Sequence, residues 1–476
     1  MSLRGSYHMS YLEETDRARS ALRSRLQLAA KEKLIEVIVR LATDSEESAA
    51  RIDYLTDSSE AVKMLQRRIS SIRNGKRFVS YGESGDLAAQ IATIASDIRA
   101  DLLPADPAKA KILAEKLFSL DQVVFERADD SGGSIGSELR DACVLWLDAA
   151  AATRAAESDA ATRWTEVLYE LYQRNDHGIR ESLLKEAHRL LGEEELRALA
   201  ARFERDAVKL IEHNKRGTEG FYRVINPASA MGLVAEALRD PRLHERSIRI
   251  YSPEPNELQS LDIAKHYLEC GDAEGALRWL QGPWRDSSEY ERLRLLDRAY
   301  ALTGDTAKQI DIRRNAYQRA PGIPTYRALA EVLPEGDRAE LRTRACTEAM
   351  TNPDVAAAAE LLFELNEPKL AEKLIIERAA ELNGGFYGSL TSLVEKARNE
   401  GCFLAATLIL RALLDAILKR AYAKAYGHGA RYLRALQELG LRIDDYRGHP
   451  THEVYEKTLR LAHGRKTSFW ARFLES

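Results

Sequence analysis

Hydrophobic residues recur at every third or fourth position along almost the whole chain, which is the period of an amphipathic helix. The segment 85–103 shows one such stripe, formed by Leu87, Ile91, Ile94 and Ile98. Alternating patterns typical of strands are almost absent, and 246–251 (RSIRIY) is the one short candidate strand. The pattern therefore predicts an all-α fold.

Gly-Asp pairs punctuate the second half of the chain at a nearly constant interval. Spacings of 33 and 32 residues separate the glycines of three pairs, Gly271-Asp272, Gly304-Asp305 and Gly336-Asp337. Asn366 and Gly401 continue the series at 30 and 35 residues. Glycine tolerates the positive φ of a tight turn, and Asp can cap the helix that follows. A period near 33 residues predicts an α-solenoid of helix-turn-helix repeats.

These repeats resemble tetratricopeptide repeats. One unit has a small residue, a Tyr, a Gly and an Ala at the family positions, namely Ala264, Tyr267, Gly271 and Ala276. The next unit has Leu296, Tyr300, Gly304, Ala316 and Pro321 in the corresponding places. The resemblance covers roughly 258–414 and implies a fold of stacked helix pairs. It does not indicate a ligand, because this fold serves many functions.

The punctuation divides the chain of 476 residues into four parts. Residues 1–9 (MSLRGSYHM) read as a leader added to the natural sequence. Residues 10–250 are predicted to form an N-terminal helical region, and 255–415 the degenerate repeat array. Residues 416–476 are predicted to form a basic helical module that caps the array.

Composition places the chain among ordinary globular proteins, with 45% hydrophobic and 30% charged residues. The net charge of −4 does not predict attraction to nucleic acid or membrane, but from Gly401 onward there are 13 Lys and Arg against 7 Asp and Glu. The four cysteines are far apart, so we expect a reducing, cytoplasmic location and no metal site. No 18-residue apolar run is present, and we expect no transmembrane helix.

Four segments resemble those of an uncharacterised, mainly bacterial helical family defined only as a domain of unknown function. They are 67–84 (RRISSIRNGKRFVSYGES), 101–110 (DLLPADPAKA), 124–136 (VFERADDSGGSIG) and 463–473 (HGRKTSFWARF). The resemblance covers the whole chain. Because that family has no assigned activity, it implies no catalytic residue.

The first candidate site is a basic segment in the N-terminal region. Its cations are Lys63, Arg67, Arg68, Arg73, Lys76 and Arg77, with no acidic residue between Glu60 and Glu83. Phe78 and Tyr81 follow, and cations beside aromatic rings favour phosphate backbones and unstacked bases. A solvated helix end at Asn74-Gly75, or pairing with Asp129 and Asp130, explains the same pattern without a ligand.

The second candidate is the loop 129–138 (DDSGGSIGSE). Its acidic side chains could hold a hard cation through oxygen ligands, although their spacing does not match an EF-hand. Its backbone amides could instead hold an anion at the start of the following helix. A plain loop in which Ser137 caps that helix is the simpler interpretation.

The third candidate is the C-terminal module, where cations and histidines accompany several tyrosines. The proposed anion- or nucleic-acid-binding residues are Arg431, Arg434, His463, Arg465 and Lys466, and Arg420, Lys424, Tyr422 and Tyr432 lie in the same module. Histidine beside cations suits phosphate binding or RNA cleavage. Alternatively, these side chains bond across helix ends, and Phe469 and Trp470 close the last apolar face.

No sequence motif of an enzyme is present: no P-loop, no GxGxxG after a strand, no GxSxG and no HExxH. We therefore expect a non-enzymatic scaffold without cofactor that binds a protein or peptide on its repeat surface. The alternative is a nucleic-acid-binding protein that uses segment 63–77 and the C-terminal cations. A nuclease centred on the C-terminal histidines is a third hypothesis.

Overall fold

The computed structural model describes residues 29–44, 58–156, 163–214 and 221–474. Within these ranges the chain is helical and contains no β-strand; a single bridge joins Val79 and Ala128. The all-α prediction is confirmed. The predicted leader 1–9 lies outside the described residues.

The chain divides into two compact units, the first ending at Cys270 and the second beginning at Gly271. The prediction of a three-part division at 250–255 and 415–416 stays a prediction. None of the described helices is long and apolar enough to cross a bilayer.

The first unit is built of helices of very different length. They are α1 (Lys31–Asp44), α2 (Ser58–Asn74), α3 (Ser84–Asp97), α4 (Leu103–Ala105), α5 (Pro107–Phe118), α6 (Asp121–Val124), α7 (Ser134–Ala156), α8 (Trp164–Tyr172), α9 (Glu181–Lys185), α10 (Glu193–Asn214), α11 (Phe221–Leu238), α12 (Pro241–Tyr251) and α13 (Glu257–Glu269). A π-helical turn, Ile98–Leu102, follows α3.

Helix α7 organises the core of the first unit, where it packs against α3, α5 and α9. Its 23 residues bury side chains on several faces, including Leu139, Cys143, Trp146 and Ala150. A helix that is apolar nearly all round is stable only inside a protein. The core around α7 also buries a charged pair, Asp121 and Arg180, each at most 1% exposed.

The second unit is built of helices joined by short turns. They are α14 (Ala273–Trp279), α15 (Asp286–Thr303), α16 (Thr306–Arg319), α17 (Ile323–Val332), α18 (Glu335–Thr351), α19 (Val355–Glu364), α20 (Pro368–Glu377), α21 (Tyr387–Asn399), α22 (Phe403–Lys419), α23 (Tyr426–Gly440), α24 (His452–His463) and α25 (Thr467–Leu474). Contacts join α15 to α16, α19 to α20 and α21 to α22. The first helices of two successive pairs, α19 and α21, contact each other, and so do the second helices, α20 and α22.

Four of the five predicted turn positions have left-handed backbone. Gly271, Gly304 and Gly401 have φ of 83°, 72° and 73°, and Asn366 has 60°. The adjacent aspartates cap the next helix: Asp272 accepts a hydrogen bond from the Gly275 amide at 2.7 Å, and Asp305 from the Lys308 amide at 3.1 Å. The prediction of tight turns at these positions is confirmed.

The predicted turn at Gly336-Asp337 is wrong, because both residues lie in the first turn of α18. The chain reverses two residues earlier, at Leu333 and Pro334, with φ of −76° and −56°. Pro334 fixes a turn that needs no left-handed residue, so the glycine is not required there.

The candidate strand 246–251 is also wrong, since it forms the end of α12. Asp240 accepts a hydrogen bond from the Leu243 amide at 3.0 Å, and Pro241 occupies the first helical position. These two residues are a strong helix start. They outweigh the preference of the β-branched residues that follow.

Candidate functional site

A cleft of 580 Å³ opens in the second unit beside the end of α22. Aliphatic residues line it from α22: Leu413, Ala416 and Ile417. Two cationic side chains, a histidine and three tyrosines also line it: Arg420, Lys424, His428, Tyr387, Tyr422 and Tyr432. None of the described residues that line it is acidic. We call this site the cationic cleft.

A pair of glycines forms one wall of the cationic cleft. A Cβ on Gly384 would lie only 1.9 Å from the Ala412 carbonyl oxygen, so the loop backbone rests directly on α22. A Cβ on Gly385 would lie 2.7 Å from the Arg420 guanidinium. A side chain at Gly384 would therefore clash with the α22 backbone, whereas one at Gly385 would displace the Arg420 guanidinium from its observed position.

The cations lie where the local backbone favours positive charge. Arg420 follows the last residue of α22, and the negative end of a helix macrodipole stabilises a cation there. Ala421 then adopts φ of 53°, and the Tyr422 amide bonds back to the Ile417 carbonyl at 3.3 Å. This left-handed helix end turns the chain toward Lys424, which lines the same cleft.

His428 is held by the next turn of its own helix. The Arg431 Nη2 donates to His428 Nδ1 at 2.9 Å, and since a guanidinium cannot accept, Nδ1 is the acceptor. The proton of the neutral ring therefore resides on Nε2. Burial raises the pKa of the Tyr432 phenol, so this residue offers a neutral hydroxyl.

A second cavity of 380 Å³ lies between α21 and α23 and shares Tyr432 with the cationic cleft. Two of the predicted binding residues, Arg431 and Arg434, line it. Unlike the cationic cleft, it also has acidic residues in its lining, Glu395 and Glu438. The structure therefore brings part of the predicted C-terminal set together along α23.

The remaining predicted residues of the C-terminal module lie elsewhere. His463, Arg465 and Lys466 lie at the turn between α24 and α25 and are not part of either cavity lining. The His463 carbonyl accepts bonds from the Lys466 amide and from Trp470 Nε1, both at 3.0 Å. Phe469 and Trp470 are buried in the adjoining core.

The C-terminal histidines do not meet at one site. His428 lines the cationic cleft, whereas His449 Nε2 lies 3.0 Å from the Ile376 carbonyl oxygen. His452 is buried, with Nε2 3.3 Å from Glu456. These three histidines therefore lie in separate environments.

The basic segment 63–77 is partly neutralised within the first unit. Arg68 pairs with Asp97 at 2.5 Å, and Arg77 pairs with Glu83. Hydrogen bonds from Ser80 lower the pKa of the Glu83 carboxyl, and Arg77 adds to the effect. Lys63 and Arg67 line a shallow polar depression on α2, while Arg73 and Lys76 are exposed.

The carboxylates of Asp129 and Asp130, which are the alternative partners of this segment, bond within their own loop and to the start of α7. The Asp130 carboxylate accepts hydrogen bonds from the Ile135 and Gly136 amides at 2.9 and 2.8 Å, and Asp129 bonds to Ser131. Asp130 thus occupies the amides that a bound anion would use at the start of α7.

That helix begins at Ser134, so Ser137 is not its cap. The basic segment is instead joined to the loop by its backbone, through the Val79–Ala128 bridge.

Sequence reasoning missed the residues that shape the cleft. Gly384, Gly385 and Tyr387 were not candidates, although a Gly-Gly pair between two apolar helices is a recognisable sign of close backbone approach. It also missed Arg411, a lone cation inside the apolar run 403–418. Such a residue must find compensation inside the protein.

The match to known families covers nearly the whole chain. The family of unknown function DUF6880 matches residues 29–472. The chain belongs to this family. The resemblance to an uncharacterised helical family is thereby confirmed, and the DUF6880 assignment itself carries no activity or ligand. No curated protein matches the chain.

Proposed function

We propose that this DUF6880 protein is a non-enzymatic, cytoplasmic interaction scaffold that binds an acidic segment of a partner protein in the cationic cleft. The single observation that carries this proposal is the composition of the cleft. Two cations, Arg420 and Lys424, and the neutral His428 lie beside an aliphatic surface, and no described lining residue is acidic. A ligand with carboxylates and an apolar side chain complements both features.

The scaffold itself is proposed to be an α-solenoid of degenerate tetratricopeptide-like repeats. Two observations support this finer description. Left-handed turns recur at Gly271, Gly304, Asn366 and Gly401. In addition, α19 contacts α21 and α20 contacts α22, so like helices meet as they do when hairpins stack.

A protein segment fits this site better than a nucleic acid. Nucleic-acid binding depends on cations that track a phosphate backbone over several nucleotides. Here the neighbouring cavity has Glu395 and Glu438 in its lining, which would repel that backbone. In the first unit, Arg68 and Arg77 are already paired with carboxylates.

The test is fluorescence anisotropy on the full-length protein with three labelled probes. They are a peptide of Glu and Leu, the same peptide with Lys in place of Glu, and a single-stranded oligouridine. The acidic peptide is expected to bind, and Arg420→Glu or Lys424→Glu to weaken it about tenfold or more.

Arg465→Glu with Lys466→Glu is the matched control, because these cations belong to the same unit but not to the cleft lining. The control is expected to leave the affinity for the acidic peptide unchanged. If the control weakens binding as much as Arg420→Glu or Lys424→Glu does, the proposal is overturned, since general charge attraction would then explain the binding. Tight, salt-sensitive binding of oligouridine alone would favour the nucleic-acid hypothesis instead.

A further inference from the structure

Arg411 is a buried cation on the face of α22 away from the cationic cleft. Its side chain is only 6% exposed, and it lies over the rings of Tyr455 and Tyr446 at 4.5 and 5.8 Å. Its Nη1 donates to the Pro450 carbonyl oxygen at 2.9 Å. The aromatic faces and this one carbonyl stabilise part of the charge.

The other edge of the Arg411 guanidinium has no hydrogen-bond acceptor in the described part of the chain. Its Nε and Nη2 are both buried and make no hydrogen bond to any described residue. Asp415 lies one turn further along α22 and attracts the Arg411 charge, but it makes no hydrogen bond to these two atoms, and its Oδ1 accepts the Tyr455 hydroxyl at 2.6 Å. Buried donors without acceptors are costly, and costlier still when the group is charged.

Arg180 in the first unit is a buried arginine whose Nε and Nη2 both have hydrogen-bond acceptors. Its Nε and Nη2 donate to the two oxygens of the buried Asp121 carboxylate at 3.3 and 3.2 Å. Its Nη1 donates to the Leu171 carbonyl at 3.1 Å, and its guanidinium lies over the Phe118 ring at 5.3 Å. Arg411 has the aromatic contact and the carbonyl, and differs in lacking the carboxylate.

We propose that Arg411 binds a small oxyanion, a carboxylate or phosphate group, through its Nε and Nη2. Two parallel N–H donors match two oxygens on one centre, whereas a monatomic anion meets only one point of the fork. Both atoms are closed to solvent between α22, the loop 441–451 and α24, so only a small oxyanion that enters when these elements separate locally could reach them. This site is separate from the cationic cleft and does not depend on the proposed function.

The test is heat unfolding of the full-length protein, followed by circular dichroism, at increasing acetate, phosphate or chloride. A ligand that binds the folded state raises Tm by roughly 3–6 °C for each tenfold rise in concentration above Kd, for a unit of this size. We expect this rise with acetate or phosphate, a smaller one with chloride, and its loss in Arg411→Lys.

Two control variants separate binding at Arg411 from general salt effects and from binding in the cationic cleft. Arg442→Lys alters an exposed arginine that lies over the Phe403 ring at 5.1 Å, and it reports the general effect of salt on stability. Arg420→Gln removes a cation of the cationic cleft and so reports anion binding there. Arg442→Lys is expected to keep the wild-type rise, and Arg420→Gln to keep at least the part of it that Arg411→Lys removes. If Arg420→Gln abolishes it and Arg411→Lys does not, the anion binds in the cleft and the proposal is wrong.

A direct readout covers the case in which Arg411→Lys does not fold. In the wild-type protein, the Arg411 Nε–H should give a slowly exchanging NMR signal that shifts saturably with acetate or phosphate. An Nε–H signal that never shifts would mean that only ordered water satisfies this edge, and that result overturns the proposal.

Discussion

Arg180 and Arg411 are both buried, but the two units of the protein accommodate them differently. The first unit supplies Arg180 with a complete partner set, including the Asp121 carboxylate. The second unit gives Arg411 two tyrosine rings and one carbonyl, and no carboxylate on its Nε and Nη2. A charge that is fully matched within the chain is part of the structure. The Nε and Nη2 of Arg411, which have no hydrogen-bond acceptor among the described residues, are the atoms to which we propose that a ligand binds.

The hydrophobic cores of the two units also differ, in the length of sequence that each cluster of buried residues covers. In the first unit, one cluster of buried residues extends from Ala61 to Val234. In the second, buried residues form clusters that are more local in sequence, such as 317–365 and 349–470. Local clusters are typical of chains in which each helix pair packs mainly on its neighbours. The cationic cleft lies in this second unit.

The largest expected effect is the cost of breaking the complete pair. Arg180→Met leaves the buried Asp121 carboxylate without its partner, which should lower the free energy of unfolding by about 3–5 kcal/mol. Arg411→Met leaves the nearby Asp415 carboxylate with its hydrogen bond from Tyr455, so its cost in oxyanion-free buffer should stay below about 2 kcal/mol. Urea unfolding of the two variants measures the difference.

The double variant Arg180→Met with Asp121→Leu is the control for this comparison. Replacing both charges by apolar groups should recover much of the stability that Arg180→Met removes. Equal losses from Arg180→Met and Arg411→Met would contradict the distinction between the two arginines.

The next effect concerns pH and lies in the first unit. Burial, together with the neighbouring His244, lowers the pKa of His266 to about 4, and the two rings lie 4.4 Å apart. In the unfolded state His266 takes up a proton near pH 6.5, whereas in the folded state it stays neutral until about pH 4. Between these two values protonation stabilises only the unfolded state, so the free energy of unfolding is highest above pH 6.5 and falls as the pH falls toward 4. The loss should reach at most about 3 kcal/mol.

Urea unfolding between pH 7 and 4 measures this slope, and His266→Gln should flatten it. His188→Gln alters an exposed histidine of the same unit and should leave the slope unchanged. If both variants keep the wild-type slope, His266 does not contribute to acid sensitivity.

A smaller effect separates a true turn glycine from the one that was mispredicted. Gly304 has φ of 72°, so Gly304→Ala should cost about 1–2 kcal/mol. Gly336 lies in the first turn of α18, and a Cβ at this position would meet nothing within 4 Å. Gly336→Ala should therefore be neutral or stabilising by up to about 1 kcal/mol. Thermal unfolding of both variants measures the difference, and equal destabilisation would contradict the assigned turns.

Local sequence signals predicted the elements, and they failed where two of them competed. Gly-Asp marks the turn at Gly304, but the same dipeptide at Gly336 follows Pro334, which makes the turn first. The β-branched residues of 246–251 were outweighed by the helix start at Asp240-Pro241. In both cases the stronger signal lay a few residues upstream.

The candidate sites were less predictable because they depend on contacts distant in sequence. Clustering of Arg420 and Lys424 with tyrosines was visible, but Gly385 meets Arg420 across 35 residues of chain. Arg411 meets Pro450 and Tyr455 only after α24 has folded back on α22. A single sequence gives the residue types at such sites and does not give which of them meet.

The smallest expected effect concerns a half-buried arginine, Arg68, which pairs with Asp97 while a third of its side chain stays accessible. Water and salt screen such a pair, so a double-mutant cycle of Arg68→Ala and Asp97→Ala should give a coupling below about 1 kcal/mol. Urea unfolding at low and high salt measures it, and the coupling should shrink as salt rises. A coupling free energy as large as that between Arg180 and Asp121 would show that burial does not set the strength of these ion pairs. The contrast between the buried and the half-buried arginine would then no longer hold.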